Sequence, residues 1–565
     1  MCALDANYHK RNCFLAQAGA KGRDEKRRIT RFPMPIQLPG GFYAPLRSYL
    51  FWRMCRCGIG GRRRFGSAPK PVRTRPMLEC ASARVSSNAR AFFAAFRYRL
   101  FETANVKASS MPAETISPEQ AASFVKSGMW LDYGATNCEP DVFDRALATR
   151  KSELENVKIR SCLSMRPRAV IEDDPEGKHF HLFSWHFSPY ERRKHDVGRC
   201  NYTPLNLGEV PDYYRRFLDP VDVAILKTCP MDEGGYFNFG PTNLWQRAVI
   251  ESAKLVILEI NCEMPYVFGK DNGVHISEVD FIIEGDHQPC AALPNPEPSD
   301  VDRMVARLIA SEVEDGSCLQ VGIGGMPNAV CSLLLETGVK DLGIHTEMLT
   351  DGLGLLYRSG RVTGSRKTLD PGKVVYTFAL GSLALYATAN RNPHLYCHPV
   401  DYTNLPHMIM QNDKVVSINN TTQVDLQGQV ASESDGHRHL SGTGGQLQFV
   451  RGAYASKGGK SFICLSSTYE RRGERRSRIV FNLTPGNIVT TPRSDVMYVV
   501  TEFGMVNLKG KSVAERAKAI IALAHPDFRE NLDRQAYENR LIPRGVSFCL
   551  AKNPSDDLQE GQHLR

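Results

Sequence analysis

The chain holds 565 residues, enough for two or three domains with sizeable cores. Its net charge of +10 belongs to one end: residues 1–110 hold 22 Lys and Arg against 5 Asp and Glu, whereas the remainder holds 49 against 56. The folded part therefore has no basic footprint for nucleic acid, and no apolar run reaches the ~18 residues that span a bilayer.

Residues 1–112 lack sustained periodicity. They carry Arg27-Arg28 and Arg62-Arg63-Arg64, and toward residue 110 they are rich in Arg and Ser and poor in acid. This is transit-peptide chemistry, so the expectation is a basic mitochondrial leader. The alternatives are a disordered tail with a cytoplasmic protein, or a nucleic-acid arm. Eleven of the 16 Cys lie beyond residue 110, scattered singly with no C-x-x-C pair. That pattern gives no zinc site, and no metal is expected. The thiols read as small buried hydrophobes in a reducing compartment.

Order is expected from about residue 113. Ser117-Pro118-Glu119 is a helix start: a capping Ser, Pro at the first helical position and an acid behind it. Strand patterns follow at 129–133, 157–161 and 223–226, and a helix pattern at 244–253 leads into the apolar run 255–260. Runs apolar on both faces suit strands buried within a parallel sheet. The Pro-rich segment 292–300 is the expected boundary between a domain at 113–295 and a second at 296–550, with a tail at 551–565. Beyond it come a helix at 301–309, a strand at 319–321, a helix at 328–336, and strands near 374–378, 415–418, 461–465, 479–481 and 497–500. Alternating strands and helices predict an α/β class with open, mostly parallel sheets, whose ligands bind beyond the carboxyl ends of strands.

Three glycine-rich or charged features carry chemistry. Gly322, Ile323, Gly324, Gly325 and Met326 follow the 319–321 strand, and Pro327 fits the start of a helix. Such a loop aims backbone N–H groups at a ligand. It can hold a dinucleotide, another anionic or acyl ligand, or serve as a structural turn. Pro327 occupies the position where a dinucleotide fingerprint needs Gly or Ala. Glu347 sits among Ile344, Met348 and Leu349. A lone Glu is usually solvated surface, but an acid in an apolar stretch has a raised pKa and needs a reason to be there. His345 reads as a packed neighbour rather than a base. The third feature is Leu440-Ser-Gly-Thr-Gly-Gly-Gln446, whose Gly445 could supply a second N–H to a shared oxyanion. Ser456-Lys-Gly-Gly-Lys-Ser461 has the look of a phosphate loop, but Tyr454 stands where its first Gly is required, and a strand follows.

At these residues the chain resembles the acetyl-CoA hydrolase/transferase family, close to its 4-hydroxybutyrate and butyrate–acetate CoA-transferase branch. The matching stretches are Gly322-Ile-Gly-Gly-Met-Pro-Asn-Ala-Val330, Asp341-Leu-Gly-Ile-His-Thr-Glu-Met-Leu-Thr-Asp-Gly352, Val400-Asp-Tyr402, Ser441-Gly-Thr-Gly-Gly445, Ser456-Lys-Gly-Gly-Lys-Ser461 and Tyr498-Val-Val-Thr-Glu-Phe-Gly504. Asn328 departs from the Asp common there. The resemblance covers about residues 115–548 and implies two related open α/β domains of the NagB/RpiA-like CoA-transferase class, with the active site between them. It implies a CoA-transferase that passes acyl and CoA groups through Glu347 to a short carboxylate such as acetate. Water as acceptor would make it an acetyl-CoA hydrolase; a non-catalytic acyl-CoA-binding protein is the distant alternative. It further implies CoA contacts from Gly322 to Met326 and at Thr422, Ser441, Gly445 and Lys457, with Met326 and Gly445 as oxyanion donors. No resident cofactor is implied, since CoA is a substrate. The implied partners are acyl-CoA and small carboxylates, with no nucleic acid and no membrane, in a dimer or tetramer of like chains.

Overall fold

The computed structural model describes residues 113–543. The basic leader, the last residues of the second expected domain and the 551–565 tail lie outside them. The expected helix start is present: Ser117 caps α1 (Pro118–Ser123), its side chain accepting from the Gln120 N–H while Gln120 reaches back to the cap.

Two eight-stranded sheets organise the described residues. The first comprises β1 (Glu114–Thr115), β2 (Trp130–Asp132), β3 (Val157–Ser161), β4 (Phe180–Ser184), β5 (Cys200–Tyr202), β6 (Val221–Thr228), β7 (Ala253–Ile260) and β8 (Phe281–Glu284). Their order across the sheet is β1-β8-β7-β6-β2-β3-β4-β5, with every pairing parallel. The second comprises β9 (Cys318–Val321), β10 (Gly343–Leu349), β11 (Val374–Ala379), β12 (Leu395–Cys397), β13 (Val415–Asn420), β14 (Lys460–Cys464), β15 (Tyr498–Thr501) and β16 (Gly504–Asn507). Its order is β12-β11-β10-β9-β13-β14-β15-β16, parallel except for the closing β15–β16 pair. The apolar runs read from the sequence are these central strands; β6, β11 and β13 are buried almost from end to end. Residues 285–299 carry no helix or strand.

Backbone bonds stitch the halves together. The Asn243 N–H donates to the Thr377 carbonyl at 2.8 Å, the Ala379 N–H to Pro241 at 2.8 Å, and the Cys397 N–H to Phe268 at 2.8 Å. An apolar cluster continues across the same seam, joining Cys162, Trp185, Leu205 and Leu207 from the first half to Met348, Phe378, Leu380 and Val400 from the second. Among the described residues every Cys is free, and Cys262 alone is exposed.

The carboxyl edge of the first sheet is held by buried charge. Lys227 on β6 pairs with Asp141, which also receives Arg168 Nη2 at 2.9 Å. Glu259 on β7 accepts the N–H groups of Asp141, Val142 and Phe143 at 2.9–3.0 Å and so anchors the helix Val142–Ala148. Burial would raise the Asp141 carboxyl, but Lys227 and Arg168 outweigh it and hold it at about 2. Removing one partner of a buried ion pair strands the other. Lys227→Met is therefore expected to destabilise the fold by roughly 3–5 kcal/mol, read as a fall in urea midpoint at unchanged slope.

Candidate active site

Glu347 lies in the carboxyl half of β10. There β10 stays paired with β11, Thr346 to Tyr376 and Met348 to Phe378, but its pairing with β9 stops at Ile344. The parting of two neighbouring parallel strands opens a crevice at the carboxyl edge, the position where open α/β sheets bind ligands. The 322–325 glycine loop leaves β9 at that edge. Gly324 adopts φ +119°, a conformation that favours glycine, and Gly325 opens α2 (Gly325–Glu336) where a Cβ would lie 2.8 Å from Asp302 Oδ2. Ile323 is 53% exposed at the loop tip, while the Met326 side chain is buried in the core beneath.

Two donors converge on the Glu347 carboxylate. Asn404, at the end of the short helix Val400–Asn404, donates Nδ2–H to Oε2 at 2.5 Å. The Gly445 N–H donates as well. Burial raises the carboxyl, Asn404 and Gly445 pull it partly back, and the balance is about 7. A carboxylate with this pKa is about half ionised at neutral pH and is more nucleophilic than a solvated one. His345 is buried, with Nε2 2.8 Å from the Thr403 carbonyl. Burial drives its pKa down to about 3, so it braces the 403–404 turn as a neutral ring and is not a base.

The 441–445 loop of the second half closes the crevice against the first half. A Cβ on Gly442 would meet the Trp185 carbonyl at 2.3 Å, and one on Gly444 would lie 3.3 Å from His186 Cε1 and 3.9 Å from Glu347 Oε1. The Leu207 N–H donates to the Gly444 carbonyl at 3.1 Å. Glycines allow this contact between halves beside the carboxylate. Met348, Phe378 and Trp185 of the apolar seam are buried nearby, Met348 being next to Glu347 on β10 and Trp185 next to His186.

The remaining expected contacts separate into two groups. Asn420 Nδ2 donates to the Ile323 carbonyl at 3.1 Å, and Gln446 Nε2 donates to the Asn420 carbonyl at 3.0 Å, tying the glycine loop to Gly445. Thr422 stands just beyond, its hydroxyl donating to the Ala431 and Ser434 carbonyls, and Ser441 opens the closing loop, its hydroxyl on the Gly442 carbonyl. Lys457 is not brought to this edge. It precedes β14, its carbonyl accepts the Lys414 N–H ahead of β13, and Val416 pairs with Lys460. Parallel pairing thus leaves Lys457 at the amino edge, 87% exposed by side chain and 3.8 Å from Asp413. Sequence reading missed Asn404 and His186. Asn404 lies two residues past the Val400-Asp-Tyr402 stretch, but nothing local marks an Asn that bonds a residue 57 positions away.

Residues 104–294 match the N-terminal domain of acetyl-CoA hydrolase/transferase, and residues 381–536 match its C-terminal domain. The chain belongs to the acetyl-CoA hydrolase/transferase family. The glycine loop and Glu347 lie between the two matched segments. Butyryl-CoA:acetate CoA-transferase of Anaerostipes caccae is 46% identical over 429 residues, covering 75% of this chain and 96% of that one. The 4-hydroxybutyrate coenzyme A transferase of Clostridium kluyveri is 40% identical over 417 residues, covering 74% and 96%. The crystal structure of RipA from Yersinia pestis, at 40% identity, superposes with a TM-score of 0.70 over 76% of this chain and 98% of that one. More distantly, an acetyl-CoA hydrolase of Yarrowia lipolytica is 24% identical over 408 residues, covering 60% and 74%. This family member is an enzyme of the CoA-transferase and hydrolase kind, and its two parallel-sheet halves are the α/β domains expected from the sequence.

Proposed function

We propose that this enzyme moves CoA from a short acyl-CoA, such as acetyl- or butyryl-CoA, to a short carboxylate such as acetate, with Glu347 as the covalent carrier. The observation that carries the reading is the Glu347 carboxylate held between Asn404 Nδ2 and the Gly445 N–H beside a glycine loop. A Glu347 oxygen attacks the thioester carbonyl, and the C–S bond breaks to leave CoA thiolate and a mixed anhydride. The thiolate then attacks the glutamyl carbonyl and expels the donor carboxylate, leaving a glutamyl-CoA thioester. An acceptor carboxylate attacks that thioester, the thiolate leaves again, and its return to the acyl carbonyl frees Glu347. Each tetrahedral oxyanion needs fixed N–H donors. Gly445 supplies one in this proposal, and the first turn of α2, at Met326, the other. Coenzyme A enters and leaves as substrate, and the steps call on no resident cofactor.

A carboxylate is favoured over water as acceptor because the relatives at 46% and 40% identity are CoA-transferases, whereas the acetyl-CoA hydrolase is 24% identical. Incubation with acetyl-CoA alone, followed by intact-mass measurement, tests the cycle. A mass increase matching CoA is expected. No adduct together with no turnover would sink the enzymatic mechanism. Equal consumption of labelled acetyl-CoA with and without acetate or butyrate would make the hydrolase the better description.

The nucleophile is the ionised carboxylate, so kcat/KM for acyl-CoA is expected to rise with pH through about 7. Asn404 stabilises the ionised form. Asn404→Ala should therefore move that midpoint upward, by about one pH unit. A profile between pH 5 and 9 that does not shift would exclude this role for Asn404.

A further inference from the structure

An Arg-rich hairpin stands on the same edge of the second sheet as the active site, and nothing in the proposed cycle uses it. It follows β14 and pairs Thr468–Arg471 with Glu474–Ser477 around an Arg472-Gly473 tip, both tip residues at positive φ as a tight two-residue turn requires. Cross-strand pairing puts Tyr469, Arg471, Glu474 and Arg476 on one face. The opposite face carries Arg475, which bonds Asp527 at 3.2 Å and ties the hairpin to the body of the domain. Arg478, just past the hairpin, lays its guanidinium over the Tyr469 ring at 4.9 Å. It donates Nη1–H to the Thr422 carbonyl at 3.2 Å and keeps a buried Nε–H without a partner among the described residues.

A series of contacts leads from here toward the nucleophile, Thr422 lying two residues past Asn420 and Gln446 next to Gly445. Arg478 touches Thr422, Gln446 bonds Asn420, Asn420 bonds the glycine loop, and Gly445 bonds Glu347. Three strand spacings, from β10 through β9 and β13 to β14, separate the end of β14 from β10 by about 14 Å along the carboxyl edge, and the hairpin begins four residues beyond that end. The pantetheine arm of CoA has that scale, and the 3′-phosphate lies beyond the arm as the hairpin face lies beyond the strand. The guanidinium groups are available: Arg471 lies 3.8 Å from Asp435 and Arg476 3.0 Å from Glu474, all about half exposed or more, and surface pairs of this kind contribute little. A phosphate dianion is a stronger partner for clustered, fork-shaped guanidinium groups.

We propose that this face of the hairpin, Arg471, Arg476 and Arg478 around Tyr469, holds the 3′-phosphate of the CoA adenosine. The inference rests on the CoA-transferase reading, and its test is kept separate from turnover. Dissociation constants for CoA and 3′-dephospho-CoA are measured by calorimetry on the unaltered protein and on Arg471→Gln/Arg476→Gln. CoA is expected to bind about tenfold more tightly than its dephospho form, and in the double variant that ratio should fall to about two or less. Arg471→Glu/Arg476→Glu should remove or invert the preference. A ratio equal in both proteins, or no preference in the unaltered protein, would overturn the assignment. A general distortion of the fold would weaken both ligands alike and leave the ratio unchanged. Acyl transfer that persists alongside an unchanged ratio would sink the hairpin site alone, and loss of all turnover in the unaltered protein would sink the function.

Discussion

Exchanging Glu347 for glutamine is expected to lower CoA transfer by at least ~10⁴-fold and to abolish the CoA adduct seen by mass. An amide oxygen does not attack a thioester at a useful rate, and losing a covalent nucleophile removes the intermediate on which every later step depends. The substitution keeps the shape of the side chain, so the loss is not a packing effect. Stability should move the other way. The folded-state pKa of Glu347, about 7, lies above the ordinary carboxyl value of 4.5. The destabilising buried charge is absent below about pH 4.5 and fully present above about pH 7. Glu347→Gln is therefore expected to raise the melting temperature at pH 8 and leave it nearly unchanged at pH 4. Transfer within tenfold of the unaltered enzyme would remove Glu347 from the mechanism.

Gly445→Ala is expected to be nearly as damaging to activity, at about 10³-fold. Gly445 has φ −97°, which any residue adopts, so the backbone does not resist the change. The steric cost is aimed at the site: the new methyl carbon would lie 2.2 Å from Glu347 Oε2 and 2.5 Å from Asn404 Nδ2. The carboxylate must swing away, losing both its Asn404 bond and its alignment with a thioester. A displacement near 1 Å costs about 10²-fold, and a lost oxyanion donor costs about as much or more. Gly444→Ala is the control. It would strain the backbone, since Gly444 has φ +59°, but its Cβ would stand 3.9 Å from Glu347 Oε1. It should lower stability more and kcat less than Gly445→Ala. If the two variants lost activity equally, direct obstruction of Glu347 would not be the cause.

Much of this arrangement was legible before any coordinates. The strands announced themselves as apolar runs, because a strand covered on both faces has no polar side to show. The glycine loop was legible because glycine readily reaches the φ of Gly324, and Glu347 because an acid beside Ile344, Met348 and Leu349 needs a reason to be there. The placing of Lys457 was not legible, for a reason of register: parallel pairing of β13 with β14 carries residues ahead of Lys460 to the amino edge, away from the crevice. The link between Asn404 and Glu347 was invisible because it is made by packing across 57 residues, with no local pattern.

The sequence by itself determined the class of sheet, the carboxylate that reacts in the proposed cycle and the glycine clusters near it, since each rests on local chemistry: hydrophobic patterning, an acid in apolar surroundings, freedom at φ. Tertiary structure alone decided which groups meet at Glu347. The early parting of β9 from β10, the return of Asn404 and Gly445, the closing contact with His186 and the placing of the 468–477 hairpin on the same edge all depend on strand order, and strand order is set by long-range packing that no short stretch of chain records.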